Sequence, residues 1–249
     1  MVSLARASVL ARIATALALV TTFAAVTAAV SMSRHEVDPP LELIPAVAAR
    51  WLAWGAGVML AFAAAVQALK RDRDDGVRAL LRARGTSRSG YIAARVAGVA
   101  IAIAIVVGGG TLAAGLTAVL AASHASTALP AVQATAASLV YALAFSATLA
   151  PLALATVGAR SRAGGYFLLL LLVVLPDVFA PWTASMLPAA WGDVVSIPAA
   201  LSSVRSALMP GGEDVARLAR AFAVLAALCL AASLSIVRGV PREGSEPAT

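Results

Sequence analysis

Few residues in this chain combine a reactive side chain with surroundings that would make use of it, and Asp177 comes first. It follows Pro176 in an otherwise apolar run. A carboxylate at membrane depth costs roughly 2.5–3.5 kcal/mol on insertion scales, so one kept there reads as functional by default. Asp177 marks a pathway, or it caps backbone N–H groups at a helix break; the residues alone leave both readings open. Gln67 and the threonines Thr15, Thr21, Thr22 and Thr27 likewise line a polar path or bond within and between helices. His35 and His124 lie in different loops, with Glu36 and Asp38 near only the first, which fits solvated loop residues better than a metal site. Cys229 is the only cysteine, and this excludes an intrachain disulfide and a thiolate metal site. The run Gly85-Thr86-Ser87-Arg88-Ser89-Gly90 is not the G-x-S-x-G elbow of a serine hydrolase and has no base near it. Lys70, the single lysine, is followed by Arg71 and lacks the glycines of G-x-x-x-x-G-K-[ST]. The chain is therefore expected to hydrolyse no ATP, to hold no cofactor or metal and to carry no catalytic residue.

The elements that position these residues are membrane helices. Apolar residues make up 61% of the chain and charged residues 12%, against roughly 45–50% and 25% in soluble domains. Mean hydropathy is +0.91. A span needs roughly 20 apolar residues, and the apolar runs predict an all-α membrane protein of one domain, residues 1–249, with six spans at about 13–32, 46–69, 91–122, 131–157, 166–187 and 218–237. Arg6 and Arg12 precede the first run, which is longer than a signal-peptide core and reads as a retained span. Gly108-Gly109-Gly110 is a weak point or a close-packing site in the third span. The fifth is irregular: Tyr166 to Leu175 rises only about 15 Å. It must continue past Pro176 and Asp177, which predicts broken or re-entrant helices on the outer side before the last span, with residues 188–212 on or in the outer surface.

Orientation follows from the basic residues. Putting both termini in the cytoplasm leaves Arg34, Arg50, Arg205, Arg217 and Arg220 outside and the remaining fourteen of nineteen inside, as the positive-inside rule requires. Trp51, Trp54, Trp182 and Trp191 then fall at the outer interface and Tyr91 and Tyr166 at the inner one. Arg217 and Arg220 must snorkel to the headgroups. The net charge of +7 is thus explained by topology, with no nucleic-acid partner expected.

Residues 70–90 form a cytoplasmic segment with seven of the nineteen basic residues. Val77, Leu80 and Leu81 share one helical sector, Asp74 and Asp75 suit the positive end of the dipole, and Ser87 or Ser89 is placed to cap the next span. On this chemistry the segment either rests on anionic lipid or docks a soluble partner.

The same residues resemble the stretch between the second and third spans of permease subunits of ABC transporters, in the ABC-2-type exporter family. Asp75, Gly76, Leu80 and Leu81, Ser87 and Arg88, and Arg95 match an acidic residue, a glycine opening a short helix, a Leu-Leu pair, a Ser-Arg turn and a basic residue heading the next span. Gly85 stands where proline is common and Arg95 where lysine is usual. The resemblance implies an inner-membrane permease subunit coupled to a separate P-loop ATPase and paired with a second permease copy or paralogue. Its docking helix would span Gly76 to Arg84, with Val77 on the apolar face. Two other classes stay open: a non-transporting scaffold or assembly factor, and an ion-coupled secondary transporter. The second normally needs several intramembrane ionisable groups. Besides the ATPase and a second permease, membrane lipids are the expected partners.

Overall fold

The computed structural model describes residues 9–35, 40–74, 87–122, 124–158, 162–188, 191, 194–209 and 215–239, and among them the architecture is all-α. α1 (Val9–His35) is followed by α2 (Leu43–Trp51), a π-helical stretch at Leu52–Gly57 and α3 (Val58–Asp74), and the last three form one uninterrupted helical run. α4 (Arg88–Ala121) and α5 (Ala125–Ala153) are the two longest helices, and a second π-helical stretch, Leu154–Gly158, closes α5. Then come α6 (Arg162–Val178), α7 (Ala180–Met186), α8 (Ile197–Ala207) and α9 (Val215–Gly239).

Among the described residues, five stretches are long and apolar enough to cross a membrane: Val9–Arg34, Leu43–Ala68, Ser89–Ala121, Ala125–Thr156 and Val215–Arg238. The apolar part of α6, Phe167–Val178, is shorter. Even the full 17 residues of α6 rise only about 26 Å, below the ~30 Å of a hydrocarbon core. The helix runs through Pro176 and Asp177 to Val178, turns at Phe179 and resumes as α7. Pro181 sits in the first turn of α7, where a missing N–H leaves no bond unmade.

Small residues are prominent in the core, beside large ones such as Phe145, Leu52, Ile103 and Leu201. Ala49, Ala53, Ala56, Ala61 and Ala65 of the α2–α3 run are fully buried, as are Ala114 and Ala118 on α4 and Ala131 and Ala142 on α5. Many other large apolar side chains point outwards: Leu19 and Phe23 on α1, Ile101 and Ile105 on α4, Leu230 and Leu234 on α9 are exposed. Buried alanines with an apolar exterior suit helices that pack by close backbone approach within lipid. The α4–α5 pair makes the most extensive contact. Gly115 of α4 lies so close to Thr135 of α5 that a Cβ there would overlap it. In the glycine triplet, a Cβ on Gly110 would sit 2.7 Å from Leu52 and Thr22, whereas Gly108 and Gly109 face open space. The triplet is a close-packing site at its last residue, and α4 passes through it unbroken.

Most hydroxyls described within the spans are satisfied locally, the buried Ser138 hydroxyl of α5 being an exception. Thr15, Thr22 and Thr27 donate to carbonyls of their own helix, at 2.8–3.0 Å, as do Thr111 and Ser146 at 2.7 Å. A backbone carbonyl of α5 has a more distant partner. Pro151 has no N–H to offer the carbonyl four residues back, that of Ala147, and the Cys229 thiol on α9 donates to it at 3.6 Å. The lone cysteine thus satisfies a backbone acceptor that the proline frees. Cys229→Ala is expected to lower stability by about 1 kcal/mol in thermal unfolding in detergent. In a Pro151→Ala background, where the substituted residue supplies its own N–H, the same change should be nearly silent.

α8 is amphipathic, burying Ile197, Ala200, Leu201 and Val204 against α5 and α9. Ser196 caps it by accepting from the Ala199 N–H at 3.1 Å. Arg217 of α9 donates through Nε to Ser203 of α8 at 3.3 Å, so this arginine is held by protein.

Candidate functional site

Of the proposed coupling residues, Asp75, Gly76, Val77, Leu80, Leu81 and Arg84 lie outside the described residues. The start of the next helix is described. Ser87 is the N-cap of α4 and accepts from the Gly90 N–H at 3.1 Å, and Arg88 opens the helix. The Arg95 guanidinium lies 5.5 Å from the centroid of the Tyr91 ring one turn earlier, within cation–π range. This first turn is a capped start, with its aromatic and basic residues stacked together. Gln67 is exposed near the end of the Leu43–Ala68 stretch.

Asp177 leads to a different place. Its carboxylate accepts from the Ser196 hydroxyl at 2.7 Å, so it ties the end of α6 to the start of α8. It caps no backbone N–H among the described bonds; Phe179, the N-cap of α7, has no side-chain cap at all. Asp177 lines a cavity of about 190 Å³ together with Arg50, Trp54, Tyr141, Ser202 and Arg205. Several elements converge there, and the local sequence of each explains its contribution.

The π-helical stretch Leu52–Gly57 carries Trp54. A π turn is wider than an α turn and re-aims the side chains within it, which is why such turns recur at functional sites. Tyr141 and Phe145 are four residues apart on α5 and so share one face. The indole meets both. Trp54 Nε1 donates to the Tyr141 hydroxyl at 2.9 Å. The Trp54 and Phe145 rings meet edge to face, with centroids 5.2 Å apart and planes at 79°. Tyr141 is 5% exposed, and a tyrosine that deep requires such a partner for its hydroxyl.

Two guanidiniums complete the wall. Arg205, near the end of α8, donates through Nη1 to the Ala46 carbonyl of α2 at 3.4 Å, a bond that reaches from the late part of the chain to the second helix. Arg50 lies one turn beyond Ala46 and makes no hydrogen bond or ion pair among the described residues. Arg50 falls inside the apolar stretch Leu43–Ala68 and Asp177 inside Phe167–Val178, so both charges are set among apolar neighbours in sequence. A second, larger cavity of about 560 Å³ shares Arg50, Trp54, Asp177 and Pro198 with the first, and adds Val47, Trp51, Val173 and Val174. The site is a charged pocket with an apolar annex.

The sequence singles out Asp177 alone of this group. Arg50, Arg205 and Trp54 enter only as interface residues, and Tyr141 not at all. A signal exists for two of them: an arginine inside an apolar run, and a tyrosine in the middle of a span rather than at its edge. Among the described residues no three His, Cys, Asp or Glu side chains come together to hold a metal. No family model, curated protein or solved structure matches the chain.

Proposed function

We propose that the chain is the membrane-spanning permease subunit of an ATP-driven ABC transporter, an exporter of the ABC-2 type, working with a separate P-loop ATPase. The observation that carries this reading is the spacing of Asp75, Gly76, Leu80, Leu81, Ser87, Arg88 and Arg95 between two apolar helices. Support comes from the fourteen-to-five partition of basic residues, from five apolar helices with a short sixth, and from the absence of a P-loop in the sequence. In this reading there are six spans with both termini cytoplasmic, α6 and α7 being a broken, outward-lying element. Residues 76–84 insert into a cleft on the ATPase, nucleotide-driven closure pulls on α3 and α4, and the packed helices shift as rigid bodies. A second copy or a paralogue supplies the other half of the pathway.

A pull-down of tagged protein from mild detergent tests this. Wild type should bring down a P-loop ATPase, and Leu80→Asp, which puts a charge into the docking face, should lose it while remaining membrane-inserted. No ATPase with wild type would overturn the reading. One observation favours a second reading, an ion-coupled secondary transporter: Arg50 and Asp177 are ionisable groups inside apolar segments, as that class requires.

A further inference from the structure

The charged pocket and its annex have the shape and polarity of one particular ligand class. We propose that they bind a monoanionic phospholipid, with the phosphodiester in the pocket between Arg50 and Arg205 and the acyl portion along Val47, Trp51, Val173 and Val174.

Size separates the two compartments. The pocket, at about 190 Å³, is below the roughly 300–1,000 Å³ typical of whole small-molecule sites, whereas the annex, at about 560 Å³, falls within that range. A headgroup fits the first and hydrocarbon the second. Charge points the same way. The pocket is lined by two guanidiniums and one carboxylate, a surplus of one positive charge that a single anion neutralises. Guanidinium donors match phosphate oxygens in fork geometry. Arg50 has its donors unengaged by any described residue, and Arg205 makes one hydrogen bond among the described residues, to Ala46, out of the five donors a guanidinium offers.

Asp177 is the residue that makes the site selective. Its Oδ1 accepts from Ser196, which holds the carboxylate at the pocket wall. There it disfavours a second negative charge on the ligand and can accept from a headgroup hydroxyl. Trp54, held by Tyr141 and Phe145, forms the rigid boundary between headgroup and chain. None of this depends on an ATPase, so the proposal stands or falls separately from the transporter reading.

The test is thermal unfolding of the purified full chain in neutral-detergent mixed micelles, titrated with phosphatidylglycerol, phosphatidylcholine, phosphatidylethanolamine or inorganic phosphate. Phosphatidylglycerol should raise the melting temperature of wild type saturably. Arg50→Gln/Arg205→Gln should need about tenfold more lipid or greater for the same shift, since two charge-assisted bonds are lost. Arg50→Gln alone, which breaks no described bond, guards against a folding defect and should show the same direction. Asp177→Asn should strengthen the response by removing the opposing charge. An equal shift from phosphatidylcholine would mean that the annex binds hydrocarbon without reading charge, and would overturn the proposal. A larger shift from phosphatidylethanolamine would overturn it too, by reassigning the site to a zwitterion with its ammonium on Asp177. A full shift from inorganic phosphate alone, or unchanged titrations in both arginine variants, would also sink it.

Discussion

Gly115→Leu is expected to abolish accumulation of folded protein. Gly115 faces Thr135 across the α4–α5 contact, and even a bare Cβ would overlap the Thr135 side chain. Both helices are long and each is anchored elsewhere in the core, so neither can retreat at one point without opening the whole seam. Overpacking by one or two methylenes typically costs about 1–3 kcal/mol; a Leu side chain driven into the neighbouring helix exceeds this and rivals the total stability of many domains. Gly115→Ala should be milder, and Thr135→Ala in the same chain should restore part of the loss. Gly108→Ala is the matched control on the same helix, because nothing lies within 4 Å of the added methyl. It should be neutral or stabilise by up to about 1 kcal/mol through helix propensity. Fluorescence-detected size-exclusion profiles and melting temperatures in detergent read all four. A Gly115→Leu chain that folds with wild-type stability would show that the α4–α5 seam is not packed as described.

Trp54→Ala carries the next largest effect. The indole fills space between the α2–α3 run and α5, donates to Tyr141 at 2.9 Å and meets the Phe145 ring edge-on at 5.2 Å. Trp54 is half-buried, so its truncation should fall at or below the low end of the ~3–5 kcal/mol that a fully buried aromatic costs, and the Tyr141 hydroxyl, in a residue only 5% exposed, would be left without its partner. A double-mutant cycle separates the two losses. Trp54→Phe and Tyr141→Phe should each destabilise by about 1–3 kcal/mol, because each strands one polar atom. The double variant should cost less than their sum, with a coupling of about 0.5–3 kcal/mol. Additive losses would mean that the hydrogen bond contributes nothing and that ring packing alone holds the π-helical stretch against α5.

What could be read from the sequence was local. The long apolar runs, the Ser87 cap and the irregularity around Pro176 are all written in consecutive residues, and the all-α architecture follows from them. The pocket is not written that way. Arg50, Tyr141, Asp177 and Arg205 are separated by dozens of residues, and each sits in a helix whose neighbouring residues are mostly apolar. α8 announces its inward side by an amphipathic face, but along the spans apolar residues occupy buried and exposed positions alike. The π turn at Leu52–Gly57 was equally hidden, since it adds no residue type that an α-helix lacks. Cys229 was legible only as a lone thiol; its use depends on Pro151, 78 positions earlier, having freed a carbonyl.

The alanine core carries a consequence for how the bundle moves. Large side chains that interdigitate must change rotamers before two helices can slide, and folding must first freeze those rotamers at up to about 1.5–2 kcal/mol each. Ala49, Ala53, Ala56, Ala61 and Ala65, facing helices that bury Ala114, Ala118, Ala131 and Ala142, have no rotamers to freeze or release. Their surfaces are smooth at the scale of a methyl group. Where alanine meets alanine, the α2–α3 run finds little torsional resistance to shear along its neighbours, while the bulky contact at Trp54–Tyr141 and the tight ones of Leu52 on Gly110 and of Gly57 on Phe145 and Val107 act as its detents.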